Sequence, residues 1–403
     1  MEFLGKKIFF TVFLAILVLV AAFSLMAFIT YHKSYSKYFI NTSPTKVNAA
    51  KPSSSEQLPQ KLANPPAVLK IAYMTGWSAG SKNYINYLQS LFKTAQINAV
   101  VIDVKDYSGV VSYKTGAAKA KEYKAYWPEI SDIDALVNKL HNQGVYVIGR
   151  VVVFEDPVLA KNRPDLAIYD TSKTQEATKP VVWKNNDGLS WVDPASKEVW
   201  DYNIAIAKDA AEHGFDEINF DYVRFPTDGN AGSMGFPVWD NKTQKSTIIK
   251  NFFQKLRESL PNIKISADIF GQTTTNTDDM GIGQIFENTL SYFDYVCPMV
   301  YPSHYADGFD GFLNPADHPY QIISCALGSA VTRRQSYASA HNLDQRTLAK
   351  IRPWLQDFNL GAVYDAPMVT AEIKAVTDTT GNDFSGFMLW SPSNIYTAGA
   401  IAK

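Results

Sequence analysis

Short apolar runs alternate with amphipathic helical patterns along most of this chain, and that alternation limits the fold more than any other feature. Val68 to Thr75, Ile97 to Lys105, Val145 to Phe154, Phe215 to Val223, Ile263 to Phe270 and Phe293 to Tyr301 are rich in Val, Ile and aromatics, the composition of strands. Between them Ile85, Leu88 and Leu91, then Ile133, Leu136, Val137 and Leu140, recur at helical spacing. Lys197 to His213 and Ile248 to Leu260 continue the alternation, and Gly144 and Gly214 stand where helix stops are expected. Strand and helix in regular turn predict a parallel sheet. Two further candidates, Gly361 or the Trp354 to Phe358 run and then Ser385 to Ser391, bring the strand count to eight. Eight favours a closed (β/α)8 TIM barrel, here over residues 68–403, above an open doubly wound sheet. No Gly-rich phosphate loop follows the first strand, which further disfavours a dinucleotide fold.

One strand has an unusual polar face. In GFDEINFDYVRFP, from Gly214 to Pro226, Ile218, Phe220 and Tyr222 alternate with Glu217, Asn219 and Asp221. A period of two turns one set toward the helices and the other toward the barrel axis, and polar side chains at the carboxyl end of a barrel strand line a pocket. The same reading applies on either side. Val100, Ile102 and Val104 leave Asp103 and Lys105 facing inward, and Ile265, Ala267 and Ile269 leave Ser266 and Asp268. Arg150 on the third strand and Arg224 beyond the fourth supply countercharge, and Asp156 follows the third. Charges of both signs, with burial, are what hold one carboxyl ionised and its neighbour protonated. An ion-pair network that only satisfies polar groups inside the barrel gives the same residue pattern.

Adjacent strands lie about 4.8 Å apart, so Asp221 and Asp268 are expected within the range used by carboxylate pairs that cleave glycosidic bonds. Such carboxyls stand about 5–5.5 Å apart in retaining enzymes and about 6.5–9.5 Å in inverting ones. Asp221, held charged by Arg224, is the expected nucleophile or stabilising carboxylate, and Asp268 the expected acid/base. Asp103 competes for either role unless Lys105 holds it as a structural pair. The sixth strand delivers Met299, Tyr301 and His304 to the same rim, and Trp390 on the last strand floors the pocket or fills the core. His304 has no Cys or His partner at ligand spacing, so neither metal nor cofactor is expected. The connection from Asp156 to Ser196, which carries Trp183 and Trp191, is long for a βα loop and is expected to fold over the pocket mouth.

Outside the barrel the chain reads differently. Ile8 to Ile29 contain no charged residue, enough to cross a hydrocarbon core of about 30 Å as a helix of about 20 residues. Lys6 and Lys7 precede this run, and Leu25 to Ala27 make a poor cleavage site. A cytoplasmic tail over 1–7, an uncleaved single-pass anchor over 8–30 and a flexible Ser-, Thr-, Pro- and Gln-rich spacer over 31–67 are expected, with the barrel outside the cell membrane. The net charge of −1 without lysine or arginine blocks argues against a nucleic-acid partner. Cys297 and Cys325 lack metal-ligand spacing. Cys297, in an apolar strand, is expected as a buried thiol, with a disulfide to Cys325 open if the domain lies outside the cytosol.

Several linked stretches then carry a resemblance. VIDVKDYSG from Val101, GRVVVFEDPVLA from Gly149, WVDP from Trp191, GFDEINFDYVRFP, SADIFG from Ser266, PMVYPSHY from Pro298 and RPWLQDF from Arg352 stand in that order. From about Leu69 to Tyr396 the chain resembles the bacterial Putative glycosyl hydrolase domain family, an uncharacterised group among the TIM-barrel hydrolases. The resemblance implies a TIM barrel and a carbohydrate substrate. Lys105, Arg150, Asp156, Asn219, Arg224, Tyr301, His304, Gln356 and Trp390 are the residues expected to bind it. A more distant similarity is to chitinase-like hydrolases, but here Asn219 replaces one acid of their fourth-strand pattern and Val223 stands where their catalytic Glu falls. An acid supplied by Asp268 is therefore required for hydrolysis. The expected function is glycoside hydrolysis of envelope or extracellular polysaccharide, with a catalytically silent glycan-binding barrel as the alternative.

Overall fold

The computed structural model describes residues 60–176 and 179–401. Eight parallel strands form the barrel: β1 Leu69–Met74, β2 Ala99–Lys105, β3 Tyr146–Val152, β4 Glu217–Asp221, β5 Lys264–Phe270, β6 Tyr295–Met299, β7 Trp354–Gln356 and β8 Gly386–Trp390. Leu69 pairs with Gly386 and Trp354 with Met299, so the sheet closes and leaves no open edge. The seventh strand comes from the Trp354 run. Gly361, the other candidate, lies in the loop beyond it, and Lys350–Ile351 adds a short pairing to the start of β6.

A helix follows each strand before the next begins: α1 Lys82–Thr94, α2 Ile133–His141, α3 Lys197–Glu212, α4 Lys245–Ser259, α5 Glu287–Leu290, α6 Pro319–His341, α7 Ala366–Thr380 and α8 Ala398–Ile401. α1 buries Ile85, Leu88 and Leu91, and α2 buries Ile133, Leu136, Val137 and Leu140, as a 3.6-residue period requires. Ser81, Asp132, Ser196 and Asp365 cap α1, α2, α3 and α7 by accepting first-turn N–H groups. Gly144 and Gly214 end their helices at φ +74° and +87°, a backbone conformation that a Cβ disfavours.

Apolar side chains divide into two sets. Val100, Ile102, Val104, Ile218, Phe220, Ile265, Ala267 and Ile269 pack in the shell between strands and helices. Ile71, Tyr73, Val101, Ile148, Cys297, Trp354 and Met388 belong to a separate set inside the barrel. β4 and β5 instead send buried Glu217, Asn219, Asp221, Ser266 and Asp268 inward. Buried polar groups are costly unless hydrogen-bonded, and these bond chiefly to one another and to arginines.

Two expected alternations fail at strand ends. In β2 Asp103 pairs with Arg150 but Lys105 with Val151, so one residue is inserted between them. That bulge turns Lys105 to the outer side, where its ammonium lies 5.3 Å from the ring of Tyr202 on α3. In β4 the strand stops at Asp221, and Tyr222 turns to φ +53° instead of joining Ile218 and Phe220 on the outer face.

The long connection after β3 runs against the loop after β4. Tyr169–Asp170 pairs antiparallel with Met234–Gly235, and Trp183 and Trp191 are buried in the resulting wall. Cys297 and Cys325 are both free thiols, so the disulfide considered from sequence is not formed. The tail over 1–7, the anchor over 8–30 and most of the 31–67 spacer lie outside the described residues. Leu62, near the end of that spacer, packs against the inner apolar set, and its amide donates to Asp216 Oδ1 at 2.6 Å. Among the described residues no helix is long and apolar enough to cross a membrane.

Candidate active site

A cleft of about 280 Å3 opens at the carboxyl end of the barrel, lined by Arg150, Asp221, Tyr222, Arg224, Phe270, Gly271, Gln272, Met299, Tyr301, His304, Tyr305, Trp354 and Trp390. Its volume is near the lower limit of small-molecule sites, about 300 Å3. One side is aromatic. The rings of Tyr301 and Trp390 are 5.7 Å apart and tilted by 35°, and Phe358 packs edge-on against Trp390. His304 lies 5.3 Å from Tyr301, and its burial pulls the imidazole below its ordinary range, toward the neutral form. Burial likewise pushes the Tyr301 phenol well up, assisted by Asp268 and Asp221.

The other side is charged. Arg150 reaches across from β3, donating through Nη1 to Asp103 Oδ1 at 2.7 Å and through Nε and Nη2 to Asp221 Oδ2 at 3.1 and 2.7 Å. Burial pulls the guanidinium down, but the Asp103 and Asp221 charges outweigh it and hold Arg150 well above its ordinary range. Asp103 also accepts from the Tyr73 hydroxyl at 2.6 Å, and burial pushes its carboxyl up against the pull of Arg150. Asp221 Oδ1 accepts the Tyr222 amide at 2.6 Å. That bond accompanies the left-handed backbone of Tyr222, a conformation costing a non-glycine residue about 1–2 kcal/mol. Strain of this kind beside a cleft is a functional signal that alternation alone does not reveal.

Asp268 sits one layer inward. The register of Asn219 with Ser266 and Phe220 with Ala267 makes Asp221 and Asp268 the next residues along adjacent strands. Asp268 is 1% exposed, and its Oδ1 accepts from Asn219 at 2.8 Å and from the Trp354 indole at 2.7 Å. Oδ2 has no partner. Burial first and the Asp221 charge second push this carboxyl well above the ordinary carboxylate range, against the opposing effects of Asn219, Arg150 and Trp354. A protonated carboxyl with its hydroxyl uncommitted is chemically a proton donor.

The expected residues therefore separate. Asp221, Arg150, Arg224, Tyr301, His304 and Trp390 line the cleft; Asp268 bonds to the lining residue Trp354, and Asn219 bonds in turn to Asp268. Asp103 braces Arg150 from the side, and Lys105 does not hold it. Lys105 and Asp156 instead form a 2.6 Å ion pair with both side chains fully enclosed, so neither is placed to meet substrate. Gln356 is also fully buried: its Oε1 accepts from the Ser303 amide and hydroxyl at 3.2 and 2.8 Å, bracing the loop that carries His304. Arg150, not Arg224, holds Asp221. Arg224 packs against Trp191, Tyr222 and Phe270. Trp354, read from sequence only as a strand residue, is the indole that binds Asp268. Among the described residues no group of three or more His, Cys, Asp or Glu is placed to hold a metal.

A hypothetical protein from Ruminiclostridium thermocellum ATCC 27405 is 38% identical, over 49% of this chain and 96% of that one, with a TM-score of 0.44. α-L-Fucosidase isoenzyme 2 from Paenibacillus thiaminolyticus is similar in fold alone, at 13% identity and a TM-score of 0.50, over 83% of this chain and 48% of the fucosidase. No curated protein matches the chain. Residues 71–396, which contain the whole cleft and nearly all of the barrel, match the model of the Putative glycosyl hydrolase domain family, and the chain belongs to that family.

Proposed function

We propose that this protein is a glycoside hydrolase that cleaves cell-envelope or extracellular polysaccharide from a membrane anchor over residues 8–30. The observation that carries this reading is the contrast between Asp221 and Asp268. One is paired with a guanidinium at the cleft surface, and the other is pushed toward its neutral form one layer below. In this mechanism Asp268 protonates the departing glycosidic oxygen. Asp221, fixed by Arg150 and the Tyr222 amide, faces the sugar carbon as positive charge develops there, either as nucleophile or by positioning water. Tyr301 and Trp390 offer ring faces on which a sugar can stack. The uncharged run from Ile8 to Ile29 supports the anchor and, with it, a substrate outside the cell.

A second reading is a barrel that binds glycan without cleaving it. It is favoured by the engagement of both Asp221 oxygens in hydrogen bonds and by the depth of Asp268. Reducing-end release from a panel of envelope polysaccharides separates the two. Hydrolysis predicts release by the wild type and a loss of about a hundredfold or more in Asp221→Asn, the range typical of a removed catalytic carboxylate. Equal release by both proteins would remove Asp221 from the mechanism, and binding without release by either would leave the glycan-binding barrel.

A further inference from the structure

Two arginines line the cleft, and only one is fully engaged. Arg150 commits Nη1 to Asp103 and both Nε and Nη2 to Asp221. Arg224 is 8% exposed and donates from Nη1 to the carbonyl of Phe225 at 3.2 Å. Its Nη2 lies 4.0 Å from Asp228 Oδ1, beyond hydrogen-bond reach. Asp228 Oδ2 accepts from the Asn185 amide at 2.9 Å, and that amide also donates to Glu155 at 3.0 Å, while Oδ1, on the side of Arg224, has no hydrogen-bond partner.

The surroundings of Arg224 fix the cation while only its Nη1 donates a hydrogen bond, to the Phe225 carbonyl. Its guanidinium carbon lies 4.8 Å from the ring centres of Trp191 and Phe270 and 5.3 Å from that of Tyr222. Aromatic faces attract a cation and restrict its motion, but they accept no conventional hydrogen bond from its N–H edge. Such an edge matches the two oxygens of a carboxylate. The Asp228 charge at 4.0 Å offsets only part of the cost of burying this cation, and a ligand carboxylate hydrogen-bonded to the N–H edge would offset more of that cost. A neutral sugar would leave it in place.

We propose that Arg224 sets the specificity of the cleft by selecting glycans that carry a carboxylate, such as uronic acid residues or carboxyl-bearing amino sugars. The inference rests on the carbohydrate reading above and adds the class of substrate. Arg150 cannot take this role while it holds Asp221 and Asp103, so discrimination between acidic and neutral sugars falls to Arg224.

The test pairs acidic oligosaccharides with their carboxyl-reduced forms: oligogalacturonate, hyaluronan fragments and a disaccharide containing N-acetylmuramate. Binding to the full chain is followed by tryptophan fluorescence and calorimetry, with reducing-end release measured in parallel. At least one acidic member should bind about ten- to a hundredfold more tightly than its reduced form, the value of one charge-assisted hydrogen-bonded contact. Arg224→Gln should weaken the acidic form far more than the reduced form, so that the ratio of their two affinities falls to about one. Arg224→Lys keeps the charge but not the planar fork and should retain part of the preference. It carries the test if Arg224→Gln fails to fold. No acid preference in any pair, or equal weakening of both forms by the variants, would overturn the proposal. Acid preference without bond cleavage would instead retire hydrolysis and leave this inference standing.

Discussion

Glu217 and Asp221 lie on the same strand, face the same way and each meet an arginine, yet the two meetings are built for different ends. At the amino end Arg352 donates to Glu217, both side chains are fully enclosed, and the Ser266 hydroxyl donates to Glu217 Oε1 at 2.5 Å. The Tyr295 ring packs 3.9 Å from the Arg352 guanidinium. At the carboxyl end Arg150 is divided between two carboxylates, its side chain is 12% exposed and Asp221 faces the cleft. Similar chemistry closes the barrel floor in one case and presents a charge to the cleft in the other. Position along the strand decides between stability and chemistry, as it does in barrels of this kind.

Breaking the floor is expected to have the largest effect. Arg352→Met leaves Glu217 buried without its cation, which should lower unfolding free energy by about 3–5 kcal/mol in urea titration. Adding Glu217→Gln should restore most of that loss, because the unpaired charge is then removed. A single Arg352→Met variant as stable as the wild type would show that the floor pair contributes nothing.

Which of the two pairs matters for function was only half legible in the chain. The period of two placed Glu217, Asn219 and Asp221 on one face and Ser266 and Asp268 on another, and the barrel follows from eight such strands. Alternation could not show that Lys105 leaves the inner face, because a bulge inserts one residue without changing the apolar pattern around it. Nor could it show which arginine holds Asp221. Arg224 is closer in sequence, but Arg150 is directly opposite Asn219 in the register and its side chain spans to both neighbouring strands. The Arg352 to Glu217 pair joins residues far apart in sequence, and local patterning carries no trace of it. The Trp354 indole on Asp268 escaped for the same reason.

The comparison is sharpened at Asp268, where stability and activity should move in opposite directions. Its carboxyl is pushed above the ordinary value of 3.8, so the folded state binds the proton more tightly than the unfolded state. Stability from this group is therefore lost as pH rises from about 4 toward its folded value. Asp268→Asn has no such proton to lose and keeps an Oδ1 acceptor for Asn219 and Trp354. It should become progressively more stable than the wild type between pH 4 and neutrality, read as melting temperature against pH. Glycan hydrolysis should fall by about a hundredfold or more, as expected for a missing proton donor. A variant that is both destabilised and fully active would remove Asp268 from the site.

The smallest expected effect lies in the wall beside the cleft. Glu155 is 2% exposed and accepts from Asn185, and burial followed by the Asp228 charge pushes its carboxyl up from 4.5 to about 7. The raised value fixes the sign: the folded protein holds a proton that the unfolded chain releases, so stability declines as pH rises from about 4.5 through about 7 and levels off above that. Glu155→Gln keeps the oxygen that Asn185 needs but does not titrate. The difference in melting temperature between variant and wild type should widen in the variant's favour across this window and then stay constant. Parallel melting curves at pH 4.5 and 8 would mean that Glu155 is ionised in the folded protein at no cost. The carboxyl end of the barrel would then be less responsive to neutral pH than its crowded carboxylates imply.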